Sequence, residues 1–195
     1  SNNSFNAIVG MDYTWHAEQS QKNGEPGYIW LDNARTRGRF KDGERLDDIN
    51  VAGFNPCVEQ QLEDAELCCL VETFPAKHDD LEDYLKTLKL AYLYGKTITL
   101  SNTHWPETNA KMLKNRRIGL SQSGVVQAFN KHGRRQMYKW CDQAYDYIQE
   151  LDEEYSNWLC VPKSIRTTSI KPSGTVSLLN GSTPGIHFPE DEYYI

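Results

Sequence analysis

No stretch of the chain approaches the run of roughly 20 apolar residues that spans a bilayer as a helix, so a membrane protein of that kind is not expected. The opening Ser1-Asn2-Asn3-Ser4 has neither the basic nor the apolar region of a secretion signal, which predicts a soluble protein with no visible address. Cationic charge is in short supply: 21 Lys and Arg stand against 27 Asp and Glu, for a net charge of -6. A polymeric DNA or RNA partner is therefore not expected, because gripping a phosphate backbone needs a cationic surface that releases counterions. Internal repeats, low-complexity tracts and blocks of like charge are missing as well, which argues against repeat architectures. There is no close cysteine pair of the kind that usually anchors a structural zinc ion, so no metal is expected. The five Cys are odd in number and unlike a secreted disulfide framework, which favours a reducing cytosol.

What is present points to a folded protein. Hydrophobic residues make up 38% and the chain carries 11 Tyr and 5 Trp, too aromatic for a disordered polymer. A length of 195 residues predicts one domain. Up to Gly53 the chain reads as loops around one short strand, Tyr28 to Leu31, after the turn signal Gly24-Glu25-Pro26-Gly27. Cys68 to Phe74 reads as a buried strand ended by Pro75. Asp79 or Asp80 can cap a helix with Leu81, Tyr84, Leu85, Leu88 and Tyr92 on one stripe and Gly95 as its stop. Thr97 to Leu100 then reads as a strand, completing a strand–helix–strand unit of the kind that favours parallel pairing. Further helices are expected from Pro106 to about Leu113, from about Ser123 to Lys131, and along the stripe Met137, Trp140, Cys141, Ala144, Tyr145 and Ile148, reaching towards Trp158. Ser164 to Ile170 alternates like a strand. The fold class is α/β.

The sharpest local feature is Asn55-Pro56-Cys57-Val58-Glu59. It packs an amide, a thiol and a carboxylate into five residues after a Gly, so that a loop tip can aim all three at one ligand. Cys68 lies eleven residues on, and Lys171 to Leu179 forms a strand exit rich in Gly and small hydroxyl residues. Its backbone N–H groups are suited to a phosphate. Asn115-Arg116-Arg117 looks like an anion site, yet an Arg pair at a helix end more often meets a carboxylate or solvent, and it receives no catalytic role. His104 and His187 are left unassigned.

At these residues the sequence resembles the ribonucleotide reductases, and among them the adenosylcobalamin-dependent class II enzymes. The resemblance is a series in order: Ser1-Asn2-Asn3-Ser4, Gly24-Glu25-Pro26-Gly27, Asn55-Pro56-Cys57-Val58-Glu59, Glu66-Leu67-Cys68-Cys69-Leu70-Val71-Glu72, Asn115-Arg116-Arg117-Ile118-Gly119, and Lys171 to Ser177 with Thr183-Pro184-Gly185-Ile186-His187. It implies that residues 1–195 form part of a ten-stranded α/β barrel, with a finger loop at about 53–60 and a phosphate loop at about 171–178. Cys57 is then the thiyl radical that abstracts the 3′-hydrogen of a ribonucleotide, Glu59 the general base on the 3′-hydroxyl, and Asn55 the amide that holds the ribose hydroxyls. Cys68 is implied as half of a redox dithiol whose partner lies outside this chain, and Cys69, facing the opposite way on a strand, as a small hydrophobe in the packing. Ser173, Gly174, Thr175, Val176 and Ser177 match the family's phosphate-binding loop.

The resemblance further implies reduction of ribonucleotides to deoxyribonucleotides for DNA synthesis, adenosylcobalamin as radical source, an external dithiol reductant such as thioredoxin, and a cytoplasmic location. Parts of the family's pattern are missing: the upstream redox Cys, the specificity loops, the later barrel strands and the C-terminal Cys pair. The chain stops in mid-motif at Tyr193-Tyr194-Ile195. It is therefore expected to be a fragment that needs the remainder of the reductase chain, with little or no turnover alone. Triphosphate substrates fit the pattern better than diphosphates, which stay open. A class I large-subunit fragment and an inactive nucleotide-binding remnant stand as alternatives.

Overall fold

The computed structural model describes residues 3–189. Ser1 and Asn2 of the first matching stretch, and the closing Tyr193-Tyr194-Ile195, lie outside the described residues. The chain divides into two compact units, Ser1–Ala65 and Glu66–Ile195.

In the first unit, β1 (Ser4–Asn6) and β2 (Gly27–Ile29) pair in parallel, Phe5 opposite Tyr28, with helix α1 (Thr14–Asn23) as the crossover between them. Asp12 starts α1 by accepting the Thr14 N–H at 2.9 Å and the Thr14 hydroxyl at 2.7 Å, and Gly24 ends it in the left-handed region at φ 73°, where a side chain would be strained. The segment expected to be loops thus holds a β–α–β unit. The expected strand from Tyr28 to Leu31 is shorter than its apolar run: it ends at Ile29, and Leu31 opens a second helix, α2 (Leu31–Thr36). Arg35 of α2 donates to the Val51 carbonyl at 2.9 Å. Immediately after Val51 the chain forms an antiparallel hairpin from β3 (Gly53–Phe54) and β4 (Gln61–Leu62).

The second unit is built on two parallel strands, β5 (Leu70–Thr73) and β6 (Gly119–Gln122), in the register Leu70 to Gly119 through Thr73 to Gln122. Helices α3 (Leu81–Ile98) and α4 (Pro106–Asn115) connect them. After β6 come α5 (Val125–His132), the long α6 (Arg134–Leu159) and the single turn α7 (Val176–Leu179). The core lies where α3 meets α6: Tyr84, Leu88 and Tyr92 pack with Met137, Trp140, Ala144, Ile148 and Tyr155, all buried. The large apolar side chains among them each contribute about 1.5–3 kcal/mol when removed from water, which is why these stripes are legible from helical spacing.

Two expectations are corrected here. Gly95 does not stop α3, and Thr97 to Leu100 is not a strand; the helix runs to Ile98 and Thr99 caps it. Gly95 answers to close packing instead, since a Cβ there would stand 3.1 Å from Val71 Cγ2 and 3.3 Å from Ile118 Cγ2, so those methyls would have to shift by a few tenths of an ångström. The β-branched Thr97 and Thr99 are accommodated because their hydroxyls donate back to the carbonyls of Tyr94 (2.8 Å) and Lys96 (2.7 Å), a local alternative that Ser and Thr offer at helix ends. The parallel partner of β5 is therefore β6. A third correction concerns Ser164 to Ile170. It lies alongside β6, with Ile118 donating to the Arg166 carbonyl at 2.9 Å, but makes one isolated parallel bridge, Leu120 to Thr168, in place of a continuous strand.

Candidate active site

The residues singled out from sequence fall on three loops. The first is the tip of the β3–β4 hairpin, Asn55 to Gln60. Its neck is closed twice: the Asn55 N–H donates to the Gln60 carbonyl at 3.0 Å, and the Gln60 N–H donates to the Asn55 side-chain Oδ1, also at 3.0 Å. Val58 N–H donates to the Asn55 carbonyl at 2.9 Å, and Val58 itself sits at φ 64°, a left-handed conformation that is costly for a β-branched residue. The loop is thus held in one shape. It buries Asn55 and Gln60, leaves Glu59 half-buried and exposes Cys57 at the tip. A cleft of about 410 Å³, lined by Asn6, Ile29, Phe54, Asn55, Pro56 and Val58 among others, lies against one side of this hairpin, within the size range of small-ligand pockets. Asn55 spends one lone pair on Gln60, so a ligand would meet the rest of its amide. Gln60, which completes the neck, went unnoticed in the sequence; its one signal is its position opposite Asn55 across the turn.

The second loop leads into β5. Cys68 is exposed and Cys69 buried, the alternation an extended chain produces. The Cys69 thiol donates to the Gly95 carbonyl at 3.5 Å, its backbone carbonyl accepts the Gly119 N–H at 2.8 Å, and burial pushes its pKa up to about 11. Two residues before Cys68, the Glu66 carboxylate accepts from Asn115 Nδ2 at 3.0 Å and from Arg117 Nε at 3.1 Å, with the side chains of Glu66 and Arg117 both 0% exposed. Arg117 is thus a carboxylate partner. Arg116 caps α4 in the left-handed region and donates to the carbonyls of Leu113 and Thr99.

These states set an order of reactivity. Iodoacetamide at pH 8 is expected to modify Cys57, Cys68 and Cys160, all exposed, while Cys69 stays unmodified because only a thiolate reacts; peptide mass spectrometry reads the order, and equal rates at Cys69 and Cys160 would contradict the buried placement. The raised value also carries a sign. Between the ordinary thiol value of 9.0 and about 11 the unfolded chain has released the Cys69 proton and the folded chain retains it, so the stability due to this group falls as pH rises through that window.

The third loop, Ser173 to Ser177, follows a segment tied to the C-terminal end of β6, where the Lys171 N–H donates to Ser121 Oγ at 2.8 Å. Ser173 and Ser177 are buried and bond each other: Ser173 Oγ accepts the Ser177 N–H at 3.2 Å, and the Ser177 hydroxyl donates to the Ser173 carbonyl at 2.8 Å. Their hydroxyls shape the loop, and Gly174, Thr175 and Val176 are its exposed part. Cys68 therefore precedes the amino end of β5, whereas the segment leading to this loop is tied near the carboxyl end of β6. Loops at the carboxyl ends of parallel strands are the usual place for a ligand.

A fourth polar group was not anticipated. Lys96 Nζ reaches Asp152 Oδ1 at 2.7 Å, Ser164 Oγ at 3.0 Å and the Pro162 carbonyl at 3.2 Å inside the α3–α6 interface, and the Tyr92 hydroxyl donates to the same Asp152 oxygen at 2.8 Å. The signal was available: Lys96 continues the stripe Tyr84, Leu88, Tyr92 at intervals of four, and Asp152 follows Ile148 in the same way. Among the described residues, no group of three or more His, Cys, Asp or Glu is placed to hold a metal ion, and no helix is long and apolar enough to cross a membrane.

No family model matches the sequence. The chain is 56% identical, over its whole length, to a probable adenosylcobalamin-dependent ribonucleoside-triphosphate reductase of Dictyostelium discoideum, of which it spans 26%. It is 50% identical, again throughout, to the adenosylcobalamin-dependent ribonucleoside-triphosphate reductase of Euglena gracilis, of which it spans 27%. The crystal structure of a B-12-dependent (class II) ribonucleotide reductase superposes with a TM-score of 0.87 at 32% identity, over 96% of this chain and 30% of that one. The mixed α/β architecture is thus that of a stretch of a class II reductase. From one end to the other, the chain is similar to a stretch of the adenosylcobalamin-dependent ribonucleoside-triphosphate reductases, and it spans 26–27% of the length of these curated relatives.

Proposed function

We propose that this chain contributes the radical-bearing loop, one reducing thiol and the phosphate loop to the ten-stranded α/β barrel of a reductase that converts ribonucleoside triphosphates to deoxyribonucleoside triphosphates for DNA synthesis. The observation that carries this reading is the exposed Cys57 thiol at the tip of a hairpin whose neck is pinned by Asn55 and Gln60. Removing hydrogen from a ribose carbon lies beyond ordinary acid–base chemistry and needs a radical, and a thiol is the side chain that can give up and regain a hydrogen atom. Adenosylcobalamin, when bound, supplies the initiating radical. The chain fits at the acceptor end of that transfer, through the exposed Cys57 thiol, and none of its residues is assigned to the corrin ring.

The roles of the chain's own residues follow. Cys57 takes the 3′-hydrogen and returns it at the end. Glu59 accepts the 3′-hydroxyl proton, and Asn55 orients the ribose through the part of its amide not bonded to Gln60. Cys68 and a second thiol outside this chain then supply two electrons and two protons: the C2′–OH bond becomes C2′–H, the hydroxyl leaves as water, and the two thiols end as a disulfide. An external dithiol of the thioredoxin type restores them. Ser173 and Ser177 hold the phosphate loop, and Gly174, Thr175 and Val176 present it to the substrate.

The test is anaerobic deoxynucleotide formation by an intact reductase carrying this segment, given ribonucleoside triphosphates, a dithiol and adenosylcobalamin. Turnover that depends on cobalamin is expected. Turnover that needs a metal-radical partner subunit instead would place the enzyme in class I, and nucleotide binding with neither would make it a remnant.

Gly174 gives a narrower check. A Cβ at Gly174 meets nothing within 4 Å, so Gly174→Ala is expected to change stability by less than about 0.5 kcal/mol. If the loop receives phosphate, the added methyl crowds the ligand and KM rises, while Tm stays fixed. An unchanged KM would take Gly174 out of the phosphate site.

A further inference from the structure

Cys68 stands in a short exposed stretch, Leu67-Cys68, between two buried anchors. On one side is Glu66, whose carboxylate receives Asn115 Nδ2 and Arg117 Nε. On the other is Cys69, fixed by its thiol to the Gly95 carbonyl and by its backbone to Gly119 at the start of the β5–β6 register. Asn115 and Arg117 are themselves held in the packed body of the second unit: the Asn115 carbonyl accepts the Ile165 N–H at 2.8 Å, and Arg117 immediately precedes Ile118, which bonds Arg166 and is fully buried. The span from Glu66 to Cys69 is only roughly 10 Å in an extended chain, so with both ends pinned the Cys68 Cα has little room to move.

A buried ion pair is a poor means of gaining stability, because desolvating the two charges consumes most of their attraction. Its distinctive property is directional: hydrogen bonds fix where the carboxylate sits. Disulfide closure has a matching demand, since the two Cα atoms must come within about 4.4–6.8 Å with suitably aimed Cβ atoms. A thiol that has to meet a partner from elsewhere in the protein, turnover after turnover, needs its backbone held to that tolerance.

We propose that Glu66, clamped by Arg117 and Asn115, is a positioning residue for Cys68 that sets its reach towards the second thiol of the reducing pair. The inference rests on the reading of Cys68 as half of that pair. It does not touch the Cys57 step, and this separates it from a general loss of structure. Withdrawal of the 3′-hydrogen by the Cys57 radical, seen as exchange of that hydrogen with solvent, precedes the reduction that consumes Cys68.

The experiment compares wild type, Glu66→Ala, Glu66→Gln and Cys68→Ser in an intact reductase carrying this segment. Two rates are read: single-turnover deoxynucleotide formation from pre-reduced enzyme without added reductant, and exchange of the substrate 3′-hydrogen. Glu66→Ala is expected to slow the single turnover by about tenfold or more, the scale on which ångström misplacements act, with exchange kept within about twofold. Glu66→Gln, which keeps an acceptor oxygen at the same reach but leaves the buried Arg117 charge uncompensated, is expected to recover part of the loss. Single turnover unchanged in Glu66→Ala, or both rates falling together, overturns the inference. Full single turnover in Cys68→Ser overturns the reading of Cys68 and the inference with it, whereas loss in Cys68→Ser beside normal Glu66→Ala overturns the inference alone. If Glu66→Ala does not fold, Asn115→Ala removes one of its anchors without leaving a charge unpaired. It is then expected to slow the single turnover by about threefold, a partial loss on the same misplacement scale, and no change in it overturns the inference.

Discussion

Cys57→Ser in an intact reductase carrying this segment is expected to lower deoxynucleotide formation by at least about 10⁴-fold, the scale seen when a residue that forms the reactive intermediate is removed. Serine matches cysteine closely in shape, but its O–H bond is too strong to give and retrieve a hydrogen atom under these conditions. The hairpin should survive the change, because the hydrogen bonds that close it run through Asn55, Val58 and Gln60 and not through the Cys57 sulfur. Nucleotide affinity is therefore expected to stay near wild type while turnover disappears. The two are separated by equilibrium binding of the substrate alongside anaerobic initial rates. A loss of less than tenfold would remove Cys57 from the radical role and leave Asn55-Pro56-Cys57-Val58-Glu59 as a binding loop.

Lys96→Met is expected to destabilise the second unit by about 3–5 kcal/mol, because it strands a buried carboxylate. The Asp152 side chain is 5% exposed and that of Lys96 fully buried. Without the ammonium, Asp152 keeps, among the described residues, the Tyr92 hydroxyl and the Ser164 N–H, at 2.8 and 2.9 Å, to compensate its charge. Chemical denaturation read by Trp fluorescence reports the change, and Lys96→Met combined with Asp152→Leu should recover much of the loss if charge imbalance is its cause. Burial lowers the Lys96 pKa below its ordinary 10.5, and Asp152 opposes that without cancelling it. Between the lowered value and 10.5 the unfolded chain holds the additional proton, so stability from this group rises with pH across that window. The Met variant should lack that rise. An undiminished midpoint in Lys96→Met would show that the interior around Asp152 is far wetter than its burial indicates.

How much of this was legible depended on what set each element. Helices α3, α4, α5 and α6 were read correctly in kind and nearly in extent, because their apolar stripes are long and face one core. Thr97 to Leu100 misled, since β-propensity in four residues cannot compete with a helix already propagating and with hydroxyls that satisfy its last carbonyls. Gly95 misled for the opposite reason: a glycine closely packed by Val71 and Ile118 across a helix–sheet contact has the same letter as one that ends a helix. Helix α1 was missed because its residues carry little apolar periodicity; it is set by the Asp12 cap and by the parallel pairing of its flanking strands. At the candidate site, Cys57, Cys68 and the Ser173 to Ser177 loop could be picked out by residue type and order. Their supports, Gln60 behind Asn55 and the Asn115–Arg117 pair behind Glu66, depend on chain segments meeting in space, and Asn115 and Arg117 lie about fifty positions from the carboxylate they hold.

That separation also has a kinetic side. Leu70 faces Gly119, 49 positions further on, with α3 and α4 in between, and ordering so long an excursion costs entropy before the strand contacts begin to repay it. The helices can form from local contacts, whereas the register of β5 has to await the arrival of β6. During synthesis the stretch around Cys68 is therefore expected to emerge early and settle late, remaining an unconstrained thiol-bearing strand until Gln122 has left the ribosome.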